Sequence, residues 1–425
     1  MNIGKNMLGE YGNGLLKDFE DREFPLSYLD SRWEDVKAWQ KEVRKKFTEY
    51  VALPKREFQT EGQRGEVLFK RIDFREEKSW EYDGLDISLF SWQLPYGPRT
   101  EAYYLRPSGK SNVLPGVLAF HDHGAFKYFG KEKITRVSDS IHPLMREHQE
   151  LYYGGVAWAN EIAKRGFAVL VPEAFLFGSR KVRASDLPEL VVKRMMMAPT
   201  EKEELTPEDM KAGYDASQWD SAEMLEKGEA GQADAEAVLH YNAFAAVHED
   251  IIAKSLFCAG TTWPGVFLND DLTALDIFSS LPGVDAEKIG CGGLSGGGLR
   301  TNYVAAIDDR IQCAVSAGFM STWKDFLLYK SHTHTWMMYL PLLPRFMDYP
   351  DILSMRLPLP TMLLYTEEDP LYTLEEVEHA AEKIGKVYKK AGAPKHCRSL
   401  RYPGPHKFDL PMQKDAFEWF EKWLL

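Results

Sequence analysis

Four cysteines in 425 residues, Cys258, Cys291, Cys313 and Cys397, lie far apart with no C-x-x-C pair, so neither a disulfide framework nor a thiolate zinc site organises this chain. Two of them fall in apolar runs that read as buried strands, and core thiols are expected. No run approaches the roughly 18 apolar residues that a membrane-spanning helix needs. The first residues, Met1-Asn2-Ile3-Gly4-Lys5, lead into Glu, Asp and Lys rather than an apolar export segment, and a cytoplasmic location is the expectation. Positive charge is also short: 52 Lys and Arg stand against 64 Asp and Glu, a net charge of -12. That balance argues against nucleic acid or an anionic membrane as partner, since both call for basic clusters, and points to small or neutral molecules. Internal repeats and low-complexity segments are absent as well.

What is present suits a large core, with 44% apolar and 13% aromatic residues. The length fits one α/β unit enlarged by insertions. Residues 1–60 read as an N-terminal helical extension. Within it, 29–50 space Trp33, Val36, Trp39, Val43 and Phe47 three or four apart, with Asp30 or Ser31 as cap. The main unit then covers 61–425. It opens with strand-like runs at 66–74, 85–93, 100–105 and 116–121, separated by turn signals such as Asp83-Gly84 and Pro107-Ser108-Gly109, which suggests an antiparallel meander. After it the rhythm changes to helix and strand: a helix at 151–165, a continuous apolar run at 167–172, and strands at 288–294, 311–317, 361–365 and 397–402. Such alternation predicts a mostly parallel central sheet with helices on both faces and functional groups at the carboxyl ends of strands. Two stretches break the rhythm, 176–236 (charged and Met-rich) and 319–358 (aromatic and Pro-rich), and are expected as insertions over the site.

The chemistry gathers around Gly293-Leu294-Ser295-Gly296-Gly297, a G-x-S-x-G stretch between an apolar run and a helix-like run. A serine on so tight a strand-to-helix turn has an exposed hydroxyl, and glycines flank it because strand and helix cross too closely for a Cβ. The N–H of Gly296 and the helix N-terminus would stabilise an oxyanion beside Ser295. A serine hydroxyl also needs a base, and that base needs a carboxylate. Past the strand 361–365 comes Glu367-Glu368-Asp369-Pro370, in which Asp369 is the expected acid and Glu368 the reserve. Past the last strand comes Pro403-Gly404-Pro405-His406, the expected base, before a closing helix at 412–424. The order Ser295, Asp369, His406 matches one of three known triad layouts. His121-Asp122-His123-Gly124 follows an early strand and offers the second oxyanion donor, the N–H of His123 with Gly124 beside it. The competing reading of these histidines, and of His332 with His334, is metal ligation. Neither pair has the spacing of H-E-x-x-H and no further ligands accompany them, so no metal and no cofactor are expected.

Taken together these segments resemble an α/β-hydrolase, of the branch that holds dienelactone-hydrolase-like proteins, acetyl xylan esterases and prolyl-oligopeptidase-type domains. The resemblance covers 100–425 and is carried by His121-Asp122-His123-Gly124, by Arg165-Gly166-Phe167 through Glu173, by Val284-Asp285 through Gly297, and by the Asp369 and His406 loops. It departs from the pattern at Pro172-Glu173, where such proteins have Pro-Asp. Ser295 also stands where dienelactone hydrolases proper carry cysteine. The resemblance implies a serine carboxylic-ester hydrolase working through an acyl-enzyme on a small ester. Trp323, His332, His334, Trp336 and Tyr339 are candidate pocket-wall residues, which would suit an acetylated sugar; the same residues equally read as the core of a helical lid. Two alternatives stay open. A peptidase or amidase would use the same triad, and a non-catalytic binding protein on this fold would lack one of its members.

Overall fold

The computed structural model describes residues 5–54, 65–110, 112–196 and 234–425. Most of the expected first insertion, 176–236, lies outside them. Nine strands form one sheet: β1 (Arg75–Tyr82), β2 (Leu85–Trp92), β3 (Thr100–Pro107), β4 (Leu114–Phe120), β5 (Ala168–Pro172), β6 (Val284–Leu294), β7 (Ile311–Ala317), β8 (Thr361–Thr366) and β9 (Cys397–Tyr402). Their spatial order is β1-β2-β3-β5-β4-β6-β7-β8-β9. The pairings β1 with β2, β2 with β3 and β3 with β5 are antiparallel, and every later one is parallel. The order reverses around β4, so the loop after β4 lies beside the end of β6, a switch point of the kind where open α/β sheets bind ligands.

Period-2 alternation sorts the central strands between two cores. Val117, Ala119, Val169 and Val171 enter one, with Met412, Phe417 and Phe420 of the helix Leu410–Leu424. Leu118, Phe120, Ala168 and Leu170 enter the other, with Phe278 of Trp263–Phe278, Leu299 of Gly296–Ile307 and Ile384 of Leu374–Lys390. Each fully buried Val, Leu or Phe is worth about 1.5–3 kcal/mol, so apolar burial on both faces holds the middle of the sheet in place. Cys291 and Cys313 are buried free thiols, one in each core.

Three local expectations differ from what is found. Residues 66–74 do not form a strand: Glu66–Arg71 is a helix that buries Leu68, with Ile72 buried one turn on, an acid in its first turn and bases in its last. The strand is the next segment, Arg75–Tyr82, whose charged, mostly exposed residues hide a strand pattern but suit a sheet edge that must not pair further. The helix expected over 29–50 is Val36–Val51. Its cap is Asp35, which accepts from the Ala38 N–H at 2.6 Å, rather than Asp30 or Ser31. The helix expected over 151–165 is two, Pro143–Tyr153 and Trp158–Lys164, broken where Gly154 and Gly155 both take positive φ.

Candidate active site

Ser295 sits between β6 and the helix Gly296–Ile307 with φ 56° and ψ -118°, a conformation that a residue with a side chain rarely adopts. The turn can be this tight because of what flanks it. A Cβ on Gly293 would lie 2.4 Å from the Phe120 carbonyl oxygen, and one on Gly297 would lie 2.3 Å from the same atom. The Ser295 N–H donates to the Ala317 carbonyl at 2.8 Å, which fastens the turn to the end of β7. Behind it, Arg300 on the same helix makes a buried pair with Asp271, donates to the Pro172 carbonyl at 3.2 Å and lies over the Phe120 ring. Burial pushes the Asp271 carboxyl up to about 6 against the pull of Arg300. The helix is thus held by a side-chain pair on one flank and by the sheet on the other.

His406 and Asp369 meet. His406 Nδ1 donates to Asp369 Oδ2 at 2.6 Å, and the other carboxylate oxygen accepts from the Leu371 N–H at 2.9 Å. Two backbone bonds zip the acid loop to the histidine loop, Glu367 N–H to the Tyr402 carbonyl at 2.9 Å and Glu368 N–H to the Gly404 carbonyl at 3.1 Å. Glu367 is exposed and paired with Arg401, and Glu368 is exposed too, so Asp369 is the acid that faces the histidine. His406 Nε2 is buried and has no hydrogen-bond partner among the described residues. Its ring lies over Gly318, where a Cβ would come within 2.8 Å of His406 Cε1 and 3.0 Å of Leu294 Cδ1. Gly318 directly follows Ala317, to which Ser295 is bonded, so serine turn and imidazole converge on one point of the sheet edge. A nucleophile–base bond commonly stays long until substrate arrives.

On the other side of Ser295 lies the loop after β4. A Cβ on Gly296 would come within 2.8 Å of the His123 backbone N, which puts the two expected oxyanion donors side by side. Gly124 turns at φ 50°, and a Cβ there would meet Asp122 and His148. Asp122 is buried and accepts from His148 Nε2 at 3.1 Å and from the Tyr153 hydroxyl. Burial alone would raise its carboxyl; the charges of His148 and Lys133 hold it well below the usual range. Lys133 Nζ donates to the carbonyls of Asp122 and His123, each at 2.8 Å, and fixes the loop from beneath. Both ring nitrogens of His121 are engaged, one with the Asp122 carbonyl and one with the Ala174 N–H, and burial keeps this ring neutral. Glu173, the departure from Pro-Asp, is fully enclosed and pairs with Lys131 at 3.0 Å; burial pushes it up to about 7.

The aromatic candidates divide. Trp323 is 5% exposed, donates to the Met347 carbonyl and stacks edgewise on Tyr349, so it is core, in line with the second reading of this segment. His334 is enclosed by Phe319, Phe326 and Tyr372, with Nε2 buried and unpartnered among the described residues; burial pushes it down to about 4. It interacts electrostatically with Asp369 and His406 and so belongs to the same neighbourhood. His332 and Trp336 are exposed, the latter with Tyr339 6.1 Å away. Glu249, on Ala235–Cys258, accepts from His123 Nε2 at 2.9 Å. No spacing or motif in the sequence marks it.

No protein-family model matches the chain. A curated protein of Bacillus subtilis (strain 168) named "Putative hydrolase YtaP" is 23% identical over 357 residues, which is 83% of this chain and 91% of that protein. Among solved structures, a "putative acetyl xylan esterase" from Bacteroides fragilis superposes with a TM-score of 0.60 at 13% identity, covering 93% of this chain and 83% of the other. A glucuronoyl esterase from Solibacter usitatus superposes with a TM-score of 0.55 at 12% identity, covering 94% and 97%. The chain has the α/β-hydrolase fold.

Proposed function

We propose that this α/β-hydrolase-fold chain is a serine carboxylic-ester hydrolase. The observation that carries the reading is the His406 ring, tied by Nδ1 to Asp369, with Nε2 unpartnered among the described residues, above the strained Ser295 turn. With Nδ1 donating, the lone pair of a neutral imidazole is on Nε2, the state a general base requires.

His406 Nε2 takes the proton of Ser295 Oγ as the oxygen bonds to the ester carbonyl carbon. The carbonyl oxygen becomes an oxyanion held by the N–H groups of Gly296 and His123. The carbon–oxygen bond to the alcohol then breaks, and the alcohol leaves with the proton from His406. A water molecule gives a proton to the same nitrogen and attacks the acyl carbon, and Ser295 recovers its proton as the acid departs. Asp369 holds the imidazole in its tautomer and stabilises the imidazolium formed twice per turnover. Such steps need only donors fixed before the reaction, which a rigid sheet edge supplies.

For the substrate we favour small acetyl esters, acetylated sugars first. The exposed Trp336 beside Tyr339 would offer a ring platform, and one structural neighbour is described as an acetyl xylan esterase. The test is hydrolysis of p-nitrophenyl acetate by the wild type and by Ser295→Ala. The variant is expected to fold and to lose at least about 10³-fold in kcat; turnover retained in it would overturn the assignment.

A further inference from the structure

A second histidine–carboxylate pair stands beside the first and does no proton chemistry. His123 Nε2 donates to Glu249 Oε1 at 2.9 Å, while His123 Nδ1 accepts from the Ala125 N–H at 3.1 Å. With both nitrogens engaged, this ring can neither take nor give a proton during turnover. Glu249 is itself nearly enclosed, its side chain 10% exposed. Besides His123 it accepts from Lys127 Nζ and, on Oε2, from Thr335 Oγ1 at 2.7 Å. Burial would raise its carboxyl, yet the His123 bond and the Lys127 charge hold it far below the usual range. Three donors from two segments therefore meet one carboxylate. His123 and Lys127 belong to the loop after β4, and Thr335 caps the short turn Trp336–Met338 of the second insertion.

We propose that Glu249 is a positioning residue for the oxyanion site. Through the His123 ring it fixes the backbone N–H of that residue next to Gly296, and through Thr335 it ties this placement to the insertion that carries Trp336. The inference rests on the esterase reading for its kinetic consequence but not for its structural one. An oxyanion donor acts on the transition state, so loosening it lowers kcat and leaves KM nearly unchanged. Outright loss of such a donor costs about 10²–10³-fold; displacement of one still present is expected to cost about 10–100-fold.

The experiment measures kcat and KM for p-nitrophenyl acetate, together with hydrogen–deuterium exchange of peptides spanning 121–127, in wild type, Glu249→Ala, Glu249→Gln and Thr335→Val. Glu249→Ala is expected to speed exchange in 121–127 and to lower kcat about 10–100-fold with KM within about threefold. Glu249→Gln keeps an acceptor for His123 and should recover most of the loss, and Thr335→Val should give a smaller effect of the same kind. Should Glu249→Ala fail to fold, as read by its melting, the other two variants carry the comparison. Unchanged exchange in 121–127 overturns the proposal whatever the kinetics, and so does a loss that falls on KM alone. A wild type that neither hydrolyses esters nor reacts with a fluorophosphonate sinks the esterase reading instead, and the exchange data still decide whether Glu249 holds the loop.

Discussion

Two histidines at the same sheet edge are each held by one carboxylate, and the proposed mechanism gives them opposite tasks. His406 bonds Asp369 through Nδ1 at 2.6 Å and has its other nitrogen unpartnered among the described residues. His123 bonds Glu249 through Nε2 at 2.9 Å and spends its other nitrogen on a backbone N–H. The distances are alike and the acids are of one type, so the contact itself does not separate catalytic from structural pairing. What separates them is the second ring nitrogen. A ring with one acceptor left can move a proton, whereas a ring with none serves as a strut.

That contrast can be broken most sharply at the acids. Asp369→Asn would favour the wrong tautomer of His406, putting the proton on the nitrogen that should accept, and kcat for p-nitrophenyl acetate is expected to fall about 10³–10⁴-fold with the fold intact. The equivalent change at Glu249, to Gln, should cost under about tenfold, because His123 is asked only to stay in place. Equal losses from the two amides would erase the distinction.

The aromatic insertion offers the next test. Trp323→Ala removes an enclosed ring and its bond to the Met347 carbonyl, and urea unfolding should show a loss of about 3–5 kcal/mol. Trp336→Ala lies at the surface and should move stability by less than about 0.5 kcal/mol, while raising KM for an acetylated sugar. If the two tryptophans exchanged these effects, their placement here would be wrong.

A further expected effect is a dependence on pH. Burial pushes His334 down to about 4 from the ordinary 6.5 of a histidine. The unfolded chain therefore binds a proton between these values and the native state does not. Stability is fully present above about pH 6.5 and is lost as pH falls toward 4, on the order of 2–3 kcal/mol for this residue. His334→Gln should flatten that part of the profile; contributions such as that of Glu173, which runs the other way, are common to both proteins and cancel in the difference. Wild-type stability minus that of the variant should therefore grow as pH rises from about 4 to 6.5, and a difference that shrank over that range would contradict the burial argument.

Much of the sheet and of the site was legible in the chain because the signals are local. Gly293 and Gly297 flank Ser295 since strand, helix and the Phe120 carbonyl crowd together there, and Asp369 and His406 each lie in the loop just after a strand, within about four residues of its end. Where competing patterns overlapped, reading failed. Leu68 and Ile72, read as part of a strand, serve a helix, and the charge of Arg75–Tyr82 masks an edge strand. Glu249 was beyond reach for another reason. Its partners His123, Lys127 and Thr335 lie 126, 122 and 86 residues away, and its own helix gives it no periodic signature. A contact made only by tertiary packing leaves no mark within a window of sequence.

The most direct test of the central claim is the crystal structure of the protein after reaction with a small alkyl fluorophosphonate, whose tetrahedral phosphorus mimics the acyl-transfer intermediate. The expected adduct has phosphorus bonded to Ser295 Oγ, with its oxygen about 2.7–3.1 Å from the backbone nitrogens of both Gly296 and His123 and His406 Nε2 within hydrogen-bond reach. An adduct on another residue, or one on Ser295 whose oxygen turns away from His123 toward other donors, would contradict it.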